Sequence, residues 1–534
     1  MLGERRAQPV TADGSHDEAQ TGLRGRLPRW LRGLAPPPES VWRDPVVWAI
    51  AVLCFGAYFA ISLFKLLQLA PSSYDLGIYT EFVKQLSLFH APIVDVLGPG
   101  FNLEGNHFQV AVGVIAPLFW LFPTPATLLF CQALCTALAV FPVAAAACWL
   151  TGRGTGRLIA FAFAFSWGLQ QMIDFDFHEI ALAVPLIAFS VSALVRRRPW
   201  AAIGWAMPLV FVEESQGFTV AAIGAVLMVS AQYPSVLRTR PEEESPDYGR
   251  VALWGGLFLL VWGLFWSTFA ITVIIPHFNP LHTYYFWKDG GAVGGGKPFS
   301  MTAVLVQAGG GWPTKGVTLV LLLLPTAFTA LGSPVAVLAV PALALRFISP
   351  NTAYWGTSWH YNATIMPILF IAAAEAIGRW RRAHAHAWPS SASSGRVGDL
   401  VHSVQVAAVR HGGVAMATVA VALCFQFPVN GLWQASTYRL SPHVAAADAA
   451  MAVVPDGATV QTTLDLLAPL AARTDAFWIG TQGNPVTQYI VFDGADSGYS
   501  PPVTNVPQFI DTWYKNDGYV QVFERGDVYV YRRG

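Results

Sequence analysis

Long apolar stretches that recur down this chain constrain its fold more than anything else in it. Runs of about 17–25 residues, with a few shorter ones, are the length a helix needs to cross a bilayer. They fall near 45–69, 125–149, 157–173, 179–195, 200–213, 216–231, 251–275, 314–331, 334–348, 360–378 and 411–429. Only 12% of the 534 residues are charged, where a soluble chain carries about a quarter. So few charges cannot solvate a globular surface, and lipid becomes the natural solvent. The expected fold class is a polytopic α-helical membrane protein with about eleven transmembrane helices. Zero net charge gives no support to nucleic acid as a partner. The five cysteines sit inside apolar runs without metal-ligand spacing and read as small hydrophobes.

Orientation follows from the basic clusters, which belong on the cytoplasmic side. Arg29 with Arg32, Arg153 with Arg157, Arg196 to Arg198, Arg238 with Arg240 and Arg250, and Arg379 with Arg381 and Arg382 all fall on one side if 108–122 lies along the membrane surface instead of crossing. The N-terminus is then cytoplasmic in a multi-pass plasma-membrane protein, and eleven crossings put the C-terminus outside. The expected organisation is a disordered cytoplasmic tail (1–43), a transmembrane domain (44–431) with outer loops 70–124 and 276–313, and a small extracytoplasmic α/β domain (432–534). Loop 276–313, with His277, Tyr284, Tyr285, Trp287 and the run Gly290 to Gly296, reads as an aromatic-rich lid. In the last segment "ATVQTT" and "QYIVFDG" read as strands, "AAADAAMAVV" and "LDLLAPLAAR" as helices, and "YVQVFERGDVYVYRR" as a hairpin around Gly-Asp. No catalytic triad or metal cluster is recognisable there.

Ionisable groups gather on the outer face: Asp75, Glu81, Glu104, His107, Asp174, Asp176, His178, Glu179, His277, His282 and His360. Such groups at membrane depth are costly and mark functional cavities. Asp75, with room left beside it by Gly77, could act as a general base or help hold a cation, or it could cap the helix that follows it. Asp174, Asp176 and His178, spaced by two, could hold a divalent metal such as Mg or Mn with Glu179 beside them, or simply solvate a hairpin end. His107, next to Glu104 and Asn106, could meet a phosphate or a metal, or serve as a cap. Adjacent Glu213 and Glu214 inside an apolar run repel each other and need a cation, a proton or water. His360 and Tyr361 open the tenth span as donor contacts or interfacial anchors. Gly291, Gly296 and Lys297 imitate a nucleotide-binding loop, but Pro298 replaces the magnesium-binding hydroxyl and no strand precedes it.

The series "SSYDLGIYTEFVKQLS", "GNHFQVAVGVIAPLFWLFPTPATLLFCQALCTALAVFPVAAAA", "DFDFHEIALAVPLIAF" and "SWHYNATIMPILFIAAA" resembles an uncharacterised family of predicted prokaryotic membrane proteins, a domain-of-unknown-function family. It also resembles the GT-C superfamily of lipid-linked-sugar glycosyltransferases, from about residue 45 to 530. The resemblance implies a GT-C-like fold and transfer of a sugar from a polyprenyl-phosphate donor to a cell-envelope glycan or lipid acceptor. Asp75 occupies the position of the catalytic or metal-binding Asp in the first outer loop. Where the family often shows Lys-Glu-Asp, this chain has Glu213-Glu214-Ser215, so the basic residue expected near a donor phosphate is missing there. "DFHEI" also lacks the proline often found after the histidine. Two other classes fit the sequence: a lipid or small-solute transporter or flippase, and an inactive scaffold of the cell envelope. A transporter would carry midplane polar residues and an inverted repeat.

Overall fold

The computed structural model describes residues 41–237, 247–284, 301–386, 396–495, 498 and 502–534. The N-terminal tail, Arg238 with Arg240, and most of the expected lid, with Tyr285, Trp287 and the Gly290–Gly296 run, lie outside the described residues.

Among the described residues, five helices are long and apolar enough to cross a membrane: Pro45–Leu67, Pro125–Thr151, Tyr248–Phe278, His360–Ala383 and Leu400–Cys424. Other expected spans are shorter or broken. The third splits into helices Arg153–Ala164 and Trp167–Asp174, and the fifth is an α-helix Pro199–Ala206 continued as a 3-10 turn. The eighth stops at Leu323, and the ninth opens as a 3-10 turn at Pro334 before helix Val340–Phe347. Pro208, Pro325, Pro334 and Pro341 stand at the breaks of the fifth, eighth and ninth, where a ring without an N–H cannot continue the hydrogen-bond ladder. Segment 110–121 is a 3-10 turn followed by the six-residue helix Ala116–Leu121, with Val114, Trp120 and Leu121 exposed. That is too short to cross, and its apolar face is what a surface-lying segment would set into lipid.

Small residues let the helices approach. Helices Gln216–Gln232 and Tyr248–Phe269 cross with backbones in contact: a Cβ on Gly224 would stand 2.5 Å from the Gly256 carbonyl oxygen, and one on Gly217 would stand 2.4 Å from that of Gly263. Both glycine pairs are spaced by seven, so they fall on one helix face. The second helix runs on through a π segment, Ala270–Ile274, to Phe278. Basic residues meet at one end of the bundle. Arg157 makes two 3.0 Å hydrogen bonds to Asp44, the cap of the first helix, and Arg381 donates to the Thr151 carbonyl.

After residue 441 the chain forms a five-stranded mixed sheet in the order β2-β1-β3-β5-β4, with β1 Thr459–Thr462, β2 Asp475–Trp478, β3 Tyr489–Asp493, β4 Tyr519–Arg525 and β5 Val528–Arg533. Strands β2, β1 and β3 are parallel, and the β4–β5 hairpin adds antiparallel to β3. Gly526 (φ 55°) and Asp527 (φ 65°) make the hairpin turn read from the sequence. Strand β2 and helix Val506–Trp513 carry no comparable sequence signal. One sheet face packs Ile490, Phe492 and Tyr531 on Val506 and Ile510. The other joins Val460, Val491 and Val530 to Leu466, Leu467 and Leu470 of helix Leu464–Ala471. That same core contains Tyr79, Phe82 and Val83 of the first outer loop.

Candidate functional site

The first outer loop turns at Pro71–Ser73 into helix Asp75–Ser87. The Ser73 hydroxyl accepts the Asp75 N–H at 3.0 Å, and the cap position is Tyr74, whose side chain makes no capping bond. Asp75 therefore does not cap the helix. Its carboxylate sits at the positive end of the helix dipole, half-buried and beside His178. Burial raises its pKa above the ordinary Asp range, against an opposing pull from His178 and Ser73. The space left by Gly77 is not room beside Asp75 for a substrate: a Cβ there would lie 2.8 Å from Leu467, so the glycine admits the C-terminal helix.

The loop 175–179 is pinned by Gln132 from the helix Pro125–Thr151. Its side chain donates to the Asp176 carbonyl and accepts the His178 N–H at 3.1 Å. His178 Nδ1 is 2.6 Å from Glu179, and its ring stacks on His360 with centroids 3.5 Å apart. The Tyr79 hydroxyl lies against Glu179 and 2.9 Å from the Gln109 side-chain oxygen, while the Gln109 N–H reaches Glu104 at 3.3 Å. Burial works to lower the His178 pKa, but Glu179 and Asp75 outweigh it and hold the imidazole above its ordinary range.

Asp174, Asp176 and His178, expected as metal ligands, are engaged by different partners. Asp176 pairs with Lys65 at 3.2 Å and accepts the Ser72 N–H at 2.6 Å; Asp174 lies 3.8 Å from the same lysine and is half exposed. Asp176 adopts φ 77°, which turns the chain so that its carboxylate and the His178 imidazole serve different partners. The sequence spacing of two assumed a regular extended or helical backbone, and this left-handed residue breaks it.

Glu213, Glu214 and His107 do converge, with one ligand atom each all within 4.8 Å of one another. Glu214 is fully enclosed: it accepts from His107 Nδ1 at 2.8 Å, the Phe108 N–H at 3.1 Å and the Tyr284 hydroxyl at 2.8 Å. Glu213 accepts from Ser215 and Gln216. Burial pulls His107 down, yet Glu214 lifts it to about 9, so it is an imidazolium at neutral pH. Burial raises Glu104 to about 7. The repulsion between adjacent glutamates is thus met first by a protonated histidine.

His360 is buried, with Nδ1 lacking a partner among the described residues. Trp359 before it holds φ 70°, ψ −174°, a region costing of order 1–3 kcal/mol for a non-glycine residue. Arg346 braces the chain on both sides of it. Its guanidinium bonds the carbonyls of Tyr354, Gly356 and Tyr361 and the Asn362 side chain, all neutral oxygens, and lies 5.7 Å from the Tyr361 ring. Sequence reading passed over Arg346, although a lone arginine inside the apolar run 334–348 is its signal. It also passed over Gln132 and Tyr79, which look like ordinary helix residues. His282 turns instead to the Pro276 carbonyl at 3.3 Å.

The arrangement combines a carboxylate able to take a proton (Asp75), two stacked imidazoles and a buried cation (Arg346) whose charge is not neutralised by the groups it bonds. The sequence model of a family described as "Predicted membrane protein (DUF2079)" matches residues 65–513. No curated protein matches the chain. Among solved structures, ArnT from Cupriavidus metallidurans bound to undecaprenyl phosphate is similar with a TM-score of 0.51 and 14% identity, over 91% of this chain and 97% of that one. The archaeal oligosaccharyltransferase AglB from Archaeoglobus fulgidus, in complex with an inhibitory peptide and a dolichol-phosphate, gives 0.34 and 11% over 93% and 75%. The likeness to ArnT shows the fold: this is a membrane protein with a GT-C-like architecture.

Proposed function

The chain belongs to the DUF2079 family of predicted membrane proteins, and on that premise we propose that it is a GT-C-type glycosyltransferase passing a sugar from a polyprenyl-phosphate donor to a cell-envelope glycan or lipid outside the membrane. The observation that carries this reading is Asp75, freed from capping by Ser73 and near His178, whose ring stacks on that of His360. ArnT, the structure whose fold it resembles, holds undecaprenyl phosphate, which supports a lipid-phosphate donor.

In this reading the described helices group into eleven crossings, the short and broken ones lining the bundle interior. The N-terminus is cytoplasmic, and residues 432–534 form an extracytoplasmic domain. Asp75 takes the proton from an acceptor hydroxyl as that oxygen bonds the sugar's anomeric carbon and the bond from that carbon to phosphate oxygen breaks. The departing polyprenyl phosphate carries negative charge, met by Arg346 and by the imidazoles of His178 and His360. Arg346 thereby supplies the basic group absent at Glu213-Glu214-Ser215. Tyr361 flanks the donor, and Glu104 with the Glu214–His107 pair holds the loop that walls the cavity. With His107 protonated, the imidazolium already supplies the positive charge among His107, Glu213 and Glu214, and a divalent cation would bind there only by displacing that proton.

The test is a cell-envelope glycan and glycolipid profile of a deletion strain, complemented with wild type or with Asp75→Asn. A sugar missing from the deletion and restored only by wild type supports the transferase. An unchanged profile would favour a scaffold or transporter.

A further inference from the structure

We propose that the C-terminal sheet carries a divalent-metal site of the zinc class, ligated by His443, Asp465 and Asp493. It is separate from the cavity around Asp75 and does not depend on the transferase reading. One ligand atom from each residue lies within 4.8 Å of the other two. Three elements deliver them to one edge of the sheet. Asp493 ends β3, Asp465 opens the helix that follows β1, and His443 stands in the first turn of helix Pro442–Met451. Strands β1 and β3 are parallel neighbours, so the cluster sits at their carboxyl ends, where open α/β sheets bind ligands.

The histidine is oriented as a ligand. Its Nδ1 lies 3.0 Å from the carbonyl oxygen of Gly526, in the β4–β5 turn. A carbonyl only accepts, so Nδ1 carries the proton. In the neutral ring Nε2 then presents a lone pair, and it stands 2.5 Å from Asp493 Oδ2. Two lone pairs at that distance repel unless a positive charge joins them. A second ring proton could serve Asp493 alone. A metal ion would serve Asp493 and the buried Asp465 together, which is why we favour it. A ring N–H donated to a backbone carbonyl is the usual support of a metal-bound imidazole.

The carboxylates are supported in the same way. Asp465 Oδ1 accepts the Thr463 hydroxyl at 2.8 Å, and Asp493 Oδ1 accepts the Ala495 N–H at 2.8 Å. Zinc bonds of about 2.0–2.2 Å place tetrahedral ligands about 3.4 Å apart, within reach of small side-chain rotations. One imidazole with two carboxylates suits zinc better than magnesium, which prefers oxygen throughout. Water completes the fourth position. Asp465 also lines a pocket with Lys65, Asp176 and Pro469, so the ion lies close to where the sheet unit meets the first outer loop. The ligands are 443, 465 and 493, too far apart in sequence for any metal-binding spacing to show.

The experiment is metal analysis of the purified full-length protein in detergent, after zinc loading and exhaustive dialysis, with thermal unfolding measured before and after chelation. We expect about one zinc per chain, a melting temperature that falls on chelation and recovers with zinc, and loss of most of the metal in Asp465→Asn and His443→Ala. Glu213→Gln serves as the control at the other imidazole–carboxylate group and should keep the metal. Wild-type protein that retains no zinc and melts identically with and without chelator would overturn the proposal, as would zinc lost from Glu213→Gln but kept by Asp465→Asn. The wild-type measurement decides the matter even if a variant fails to fold.

Discussion

At the scale of single residues, the site rests on how a few buried charges are met. Asp75→Asn keeps the shape of the side chain and its place at the helix start but removes the base, so transfer should fall by about 10²–10⁴-fold with unchanged folding. Single-turnover assays with a polyprenyl-phosphate sugar would read it; full activity would remove Asp75 from the chemistry. Lys65→Met leaves Asp176 buried beside an apolar tip and should cost about 3–5 kcal/mol in stability, seen as a lower melting temperature. His107 gives a pH signature. Its folded value of about 9 lies above its ordinary 6.5. The stability it contributes is therefore complete below about 6.5 and is lost as pH rises through about 9. Glu81, raised to about 8 by burial, and Glu104, at about 7, also weaken the fold as pH rises. The decisive comparison is thus His107→Gln, whose melting temperature should fall less steeply than wild type between pH 7 and 9. Equal slopes would show that the Glu214 pair is not an ion pair. Asp75, His107 and Glu214 were legible because a charge among apolar residues stands out. The stacking of His178 on His360 was not, since only the fold brings together residues so distant in sequence. Nor was the loss of Asp174 and Asp176 to Lys65, which depends on the left-handed turn at Asp176.

At the scale of elements, apolar length announced where helices lie but not which would run unbroken. The five long ones are continuous apolar runs. The interrupted fifth, eighth and ninth contain prolines whose effect on a helix depends on whether neighbours satisfy the freed carbonyls, while the third breaks at Phe165–Ser166 without one. The pairing of helices Gln216–Gln232 and Tyr248–Phe269 was written in Gly217, Gly224, Gly256 and Gly263, a seven-residue spacing that marks an interface only once the partner is known. Gly224→Leu should force these backbones apart, costing about 1–3 kcal/mol or more. Because Ser267 on the second helix donates to the Glu214 carbonyl at 2.6 Å, the same change should disturb the His107–Glu214 contact. Ala at the same position, a smaller intrusion, should do less. Equal melting temperatures for wild type and Gly224→Leu would refute the close packing.

At the scale of the whole molecule, the sheet's helices and hairpin were readable from alternation and turn chemistry, but its docking on the first outer loop was not. Gly77 looked like slack beside Asp75 and is instead the seat of Leu467. Gly77→Val should separate the two parts, lowering the melting temperature and opening 75–87 to proteolysis; protection equal to wild type would argue against the contact. That contact also sets an order of assembly. A ribosome that has finished the membrane bundle has produced every residue of the cavity around Asp75, yet the helix carrying Asp75 still lacks the apolar partners that pack on Gly77. Those arrive only with Leu464–Ala471, some hundreds of residues after Asp75 itself. Until then the nascent chain is a framework without a settled centre, so a late premature stop would leave a protein inserted in the membrane but unable to work.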